Sequence, residues 1–310
     1  MDRREFIKKS IAAGLTAGAA ISTGSIAKLF GKTPGTAAYT AGNYDLVAVK
    51  NGEPDVMFNK AMQAMGGIGK YVKSGQKVVV KPNIGWDTSP ERAANTNPVL
   101  VKSIVQACKD AGASEVYVFD NTCDNWQNCY KNSGIKKAVQ DAGGKTAPGN
   151  TESYYQSVSV PQGVKLQNAK VHELILESDV FINVPILKSH GSASLTIAMK
   201  NLMGIIWDRR WWHANDLHQC IADFATYRKP DLNIVDAYYV MKEHGPKGVS
   251  LADVVTKKSL LMSEDMVTVD AAAAKLFGLE PDDVTYISHA DDLGVGNMEL
   301  SGQNIKRITL

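Results

Sequence analysis

Lys77-Val78-Val79-Val80-Lys81-Pro82-Asn83 is a run of three valines closed by a lysine and a proline. Consecutive β-branched residues leave no polar face for water, so the run predicts a strand covered on both sides, as in a parallel sheet under helices. Working outward, 44–50 (YDLVAVK) predicts another strand, and 53–72 a helix cut short by Gly66-Gly67. Residues 98–111 predict a helix with a proline in its first turn and Gly112 beyond its end. Further strands are expected at 115–120, 179–185, 232–236 and 259–262, and further helices at 135–142, 193–202 and 267–277. This alternation predicts an α/β fold, a mostly parallel sheet flanked by helices. Residues 154–166 (YYQSVSVPQGVKL) differ, and predict a small antiparallel β insertion turning about Pro161-Gln162-Gly163.

The 310 residues hold 34 Lys+Arg against 32 Asp+Glu, with 44% hydrophobic and 21% charged. Such a balance excludes a disordered chain, a collagen and a multi-span membrane protein, and the length permits a sizeable core. Six basic side chains but only two acidic ones lie in the first 38 residues, so the body that follows is slightly acidic. Nucleic acid is therefore not an expected partner.

Residues 2–9 (DRREFIKK) precede a short, weakly apolar run at 11–26, broken by Gly14, Thr16, Gly18, Thr23 and Gly24. The run is too interrupted for a membrane span, which takes roughly 20 apolar residues. The segment resembles a twin-arginine export signal. The resemblance implies engagement of the twin-arginine export machinery and a periplasmic or extracytoplasmic location. Cleavage after Thr36-Ala37-Ala38 and an uncleaved anchor are both compatible with it. The expected division is a signal and linker over 1–38 and a single α/β domain over 39–310.

In open parallel sheets ligands sit outside the carboxyl ends of the strands. Here those ends carry Lys81, Asn83 and Trp86; Asp120, Asn121 and Trp126; Lys188 and His190; and Asp236. Lys81 ends an apolar strand, and a buried ammonium needs an anionic partner. It can form a scaffold ion pair with Asp120 or Asp236, or share a crevice with Lys188 and Lys200 that binds a carboxylate or phosphate. The tryptophans, including Trp207, Trp211 and Trp212, either cover the sheet rim or wall a ligand pocket.

The four cysteines lack the tight spacing of an iron–sulfur cluster. Cys123 and Cys129 share a loop and could form a disulfide or bind metal, while a metal site from His190, His213 or Asp120 would have to be assembled by the fold. No residue pattern names a cofactor. Gly66-Gly67-Ile68-Gly69-Lys70-Tyr71 fails as a phosphate loop, since Tyr71 stands where a hydroxyl ligand for magnesium belongs. Gly294-Val295-Gly296 fails as a dinucleotide fingerprint, because Glu299 replaces its third glycine.

The segments 78–83 (VVVKPN), 183–190 (NVPILKSH), 198–204 (AMKNLMG), 232–236 (LNIVD), 245–248 (GPKG) and 263–270 (SEDMVTVD) resemble, in this order, the domain of unknown function 362 family. The likeness extends over 44–310. It implies that Lys81, Asn83, Lys188, His190, Lys200, Asn201, Asp236 and Asp270 are signature positions, without giving them roles. Some members resemble this domain fused to a ferredoxin-like module, whose clustered cysteines this chain lacks.

Two functions are then expected. One is an exported enzyme acting on a small anionic substrate. Lys188 and Lys200 would bind the anion, with Lys81, Asn83, Asn121, Asn201, Trp86 and Trp126 around it. His190 would shuttle a proton and Asp236 or Asp120 orient it or bind a metal. The alternative is a non-catalytic ligand-binding or cofactor-carrying protein. Asp270 lies in an Ala-rich helix that Asp265 can cap, facing either solvent or Lys81 and Lys200.

Overall fold

The structure is a computed structural model that describes residues 42–310; the signal and linker expected over 1–38 lie outside the described residues. Strands β1 (Leu46–Lys50), β2 (Lys77–Pro82), β3 (Glu115–Val118) and β4 (Lys145–Thr146) come first, with β5 (Tyr155–Ser159) and β6 (Asn168–His172) next. Then come β7 (Val180–Val184), β8 (Ile186–His190), β9 (Ser194–Thr196), β10 (Leu232–Met241), β11 (Val254–Ser263) and β12 (Ile305–Thr309). The main sheet runs β12-β1-β11-β10-β7-β2-β3-β4, with β8 and β9 attached beside β10. Its pairings from β10 through β7, β2 and β3 to β4 are parallel. The fold is α/β, and the antiparallel insertion is the separate pair β5–β6.

Alternate valines of β2 serve opposite faces. Val79 packs in one core with Phe181 and Val235, while Val78 and Val80 pack in the other with Ile182 and Ile234. Burying one such side chain contributes about 1.5–3 kcal/mol, so a strand with no wet face stays inside. Helices α1 (Pro54–Ala64) and α2 (Pro98–Asp110) cover the second face. α2 starts at Asn97, whose side chain accepts the Val99 N–H, with Pro98 at its first position. On the same side lie α3 (Trp126–Asn132) and α4 (Ile135–Asp141). The first face is covered by α5 (Ala198–Asn201), α6 (Leu217–Ala225), α7 (Met266–Phe277) and α8 (Thr285–Asp292). α7 opens on Asp265, which accepts the amides of Val267 and Thr268, and closes on Gly278 in the left-handed region. Among the described residues no helix is long and apolar enough to cross a membrane.

Four sequence expectations change. The 259–262 strand runs from Val254 to Ser263 and is antiparallel to both neighbours, because a buried run looks alike in either direction. The insertion turns more widely than 154–166 suggests. Asp223 accepts the amides of Lys165 and Leu166, Leu166 enters the core, and the return strand begins at Asn168. The chain after Pro185 is a strand, β8, rather than a loop. The expected helix near 193–202 is split into β9 and α5, because Asp270 captures the amides of Ala198 and Met199 and fixes a later start.

Candidate functional site

Lys81 is fully buried at the end of β2, where its ammonium has three partners: Asn201 Oδ1 at 2.8 Å, the Pro82 carbonyl at 2.8 Å and Asp120 Oδ1 at 3.1 Å. Of the two scaffold partners expected for Lys81, the structure supplies Asp120. The other oxygen of that carboxylate accepts the Ile84 N–H at 2.6 Å. Gly204 presses on the pair, since a Cβ there would lie 1.9 Å from Asp120 Oδ1 and 2.5 Å from Lys81 Nζ. Only a residue without a side chain fits over this ion pair.

Asn201 orders the surroundings. Its Oδ1 also accepts Asn83 Nδ2 at 3.0 Å, and its Nδ2 donates to the Lys81 carbonyl and to Asn183 Oδ1. Asn183 passes the chain on to Asn233 Oδ1 at 3.0 Å. A fully bonded amide network of this kind has one orientation, so it holds the ends of β2, β7 and β10 in fixed relation. Asn83 Oδ1 in turn accepts Lys188 Nζ at 3.1 Å, and the Ala94 carbonyl takes a second bond from that ammonium.

These groups wall a cavity of about 420 Å³, to which Trp86, Cys123, His190, Thr196, Lys200, Arg209, Arg210 and His213 also contribute. Five cationic side chains (Lys81, Lys188, Lys200, Arg209 and Arg210) face a single carboxylate, Asp120. Arg209 is committed to the Asn121 and Thr122 carbonyls, with Cys123 Sγ 3.6 Å from Nη1. Burial, with further repulsion from Lys200 and Lys81, depresses Lys188 to about 7. Lys200 falls to about 8 through burial and the charges of Arg209 and Lys81. His190 is pushed down to about 3, first by burial and then by Lys200 and Lys188. The imidazole is therefore neutral at pH 7, and because its Nδ1 accepts the Ser192 N–H at 3.3 Å, the ring proton sits on Nε2. Of the groups in the wall, Lys188 rather than His190 changes protonation near neutrality.

Two buried side chains of this wall have no hydrogen-bond partner among the described residues. The Lys200 ammonium makes no hydrogen bond or ion pair among the described residues, although the residue is only 9% exposed. Thr196 Oγ1 is buried and likewise unbonded. Leaving the buried Thr196 hydroxyl unbonded costs roughly 1–3 kcal/mol.

Three expected site residues stand outside the cavity. Asp236 accepts the amides of Asn97 at 2.7 Å and Tyr238 at 3.0 Å, so it fastens the start of α2. It lies there because β10 continues for five residues beyond it, and position 236 is no strand end. Asn121 ties to the Gly204 and Ile206 carbonyls, and Trp126 packs edge-on against Tyr130. Asp270 is inward but meets backbone amides rather than lysines, and burial raises it to about 8. Cys123 and Cys129 are both free thiols, and among the described residues no group of three His, Cys, Asp or Glu side chains is arranged to hold a metal ion. Trp207, Trp211 and Trp212 line a second cavity of about 780 Å³ against the β5–β6 hairpin. It is larger, but it lacks the buried, strongly shifted groups that make the first the candidate site. The sequence did not single out Arg209 or Thr196, whose surroundings in 207–213 and 193–202 read as aromatic cover and helix.

A family model described as "Domain of unknown function (DUF362)" matches residues 78–275, nearly two thirds of the chain. The chain belongs to this family. The DUF362 match spans every lysine and asparagine of the cavity wall. A thylakoid-associated protein of Synechocystis sp. is 24% identical over 250 residues, covering 76% of this chain and 73% of that protein. Among solved structures, the lactate racemase apoprotein of Thermoanaerobacterium thermosaccharolyticum aligns with a TM-score of 0.47 and 9% identity over 69% of this chain. A Thermotoga maritima protein aligns with a TM-score of 0.46 and 12% identity over 73% of this chain. The DUF362 chain spans 53% and 59% of these two structures' lengths.

Proposed function

We propose that this DUF362 protein is an exported enzyme whose lysine-lined cavity binds a small carboxylate or phosphate. The observation that carries the reading is the excess of cationic side chains over one carboxylate in the wall of a single cavity, with Lys200 left without a hydrogen-bond partner among the described residues. A protein holds such a charge imbalance only at a cost that a bound anion removes. In this reading Lys200 and Arg210 hold the anion and the neutral His190 donates from Nε2. Lys188, poised near pH 7 by its neighbours and oriented by Asn83 and Ala94, moves the proton. Asp120 and Asn201 keep Lys81 in place and set the shape of the cavity floor.

Anion binding should weaken as pH rises through about 7–8, because Lys188 and then Lys200 lose their charge there. Binding must also draw protons onto the protein in that window, since a bound anion raises both values. Titration calorimetry with phosphate and malonate, in two buffers of different ionisation heat, measures affinity and proton uptake together. Affinity that stays flat from pH 6 to 9 with no proton uptake would remove the anion from this site. Export is proposed from residues 1–38 alone. Changing Arg3 and Arg4 together to lysine should leave the chain in the cytoplasm on cell fractionation, and unchanged export would refute the signal.

A further inference from the structure

Among the cavity's three lysines, Lys81 has three acceptors and Lys188 two, whereas Lys200 has none. Its position is nevertheless fixed with care. Asp270 anchors the first turn of α5, and the next residue, Asn201, is locked by four hydrogen bonds. Such support around an amine without a partner is what a reacting group requires rather than what a scaffold cation requires. From β9, the unbonded Thr196 hydroxyl faces the same cavity, and Arg210 beside Lys200 supplies positive charge for a substrate carboxylate.

We infer that Lys200 is a nucleophilic amine that condenses with the carbonyl carbon of a small oxo acid held in this cavity. The inference rests on the anion-binding reading above and adds the substrate class. In the condensation the Nζ lone pair attacks the carbonyl carbon and a C–N bond forms. The carbonyl oxygen then leaves as water, carrying the two amine hydrogens, and a C=N bond remains. Thr196 and neutral His190 are the groups at hand to pass a proton to the departing oxygen. A lysine brought down to about 8 by burial and neighbouring cations holds a usable fraction of free amine at neutral pH.

The full chain incubated with pyruvate and treated with borohydride should gain one adduct, with the mass of pyruvic acid less one oxygen atom. Peptide mapping should place it on Lys200, and Lys200→Arg should lose it. Acetone, which lacks the carboxylate, should label more slowly. The map is read on the unaltered protein, so the result does not depend on the variant folding. Pyruvate that binds with the pH dependence given above yet leaves no adduct, or one on Lys188 or spread over exposed lysines, overturns the inference and leaves the anion site standing. Pyruvate that neither binds nor labels removes both.

Discussion

Asp120→Ala is expected to cost the fold about 3–5 kcal/mol, the usual consequence of stranding one member of a buried ion pair. Lys81 is fully buried and Asp120 is 2% exposed, so only water from the cavity could replace the lost carboxylate, and without its charge. The same change strands the Ile84 amide, which now bonds Asp120 Oδ2, adding about 1–3 kcal/mol if nothing replaces it. Asp120→Asn separates the two contributions, because it keeps an oxygen for Ile84 but removes the charge. The order of stability in urea unfolding should therefore be wild type, then Asn, then Ala. Adding Lys81→Met to Asp120→Asn should recover much of the loss, since the cation that needs compensation is gone. A loss below about 1 kcal/mol for Asp120→Ala would mean that the pair does not support the cavity floor.

Lys200→Met should weaken anion binding by roughly 10- to 100-fold, the worth of one hydrogen bond to a charged group, while making the protein more stable. The opposite signs follow from the missing partner. Folding lowers this lysine from the ordinary 10.5 to about 8, so the folded state binds fewer protons than the unfolded chain between those values. Stability therefore rises with pH across that window, and the cost of Lys200 is fully present below pH 8, at about 3 kcal/mol. Methionine fills similar volume without the charge, so the gain in melting temperature should be largest at neutral pH and fade towards pH 10. A variant both more stable and poorer at binding is the signature of a residue kept for function. A loss of stability at pH 7 would show that the ammonium has an acceptor after all.

The sheet was legible because its central strands are continuous apolar runs, and Lys81 stood out because a charge ends one of them. Strand direction was not legible, since β11 contributes the same kind of buried run whichever way it pairs. β12 escaped notice because only Ile308 in IKRIT is buried. Lys81, Asn83, Trp86, Asp120, Lys188 and His190 were read from strand-end chemistry and Lys200 and Asn201 with help from the family resemblance, and all of them line one cavity. Asp236 was misplaced for a local reason: the strand does not end at the aspartate but passes through an irregularity between Ala237 and Tyr239 and continues to Met241. Asn183 and Asn233 sit inside apolar strands, and their value emerges only when β7 and β10 pair at that register. The start of the helix that carries Lys200 is held by Asp270, some seventy residues away, a contact that spacing along the sequence does not reveal.

Strand β1 has β11 on one side and β12 on the other, so both neighbours of the first strand belong to the last quarter of the chain. During synthesis β1 emerges early and must wait, with both edges open, until residues 254–263 and then 305–309 have left the ribosome. The half of the sheet around β2, β3 and β7 can assemble first, while the other half closes only once β11 and β12 are available. A nascent chain stalled before residue 254 therefore presents an unpaired hydrophobic strand to whatever holds it.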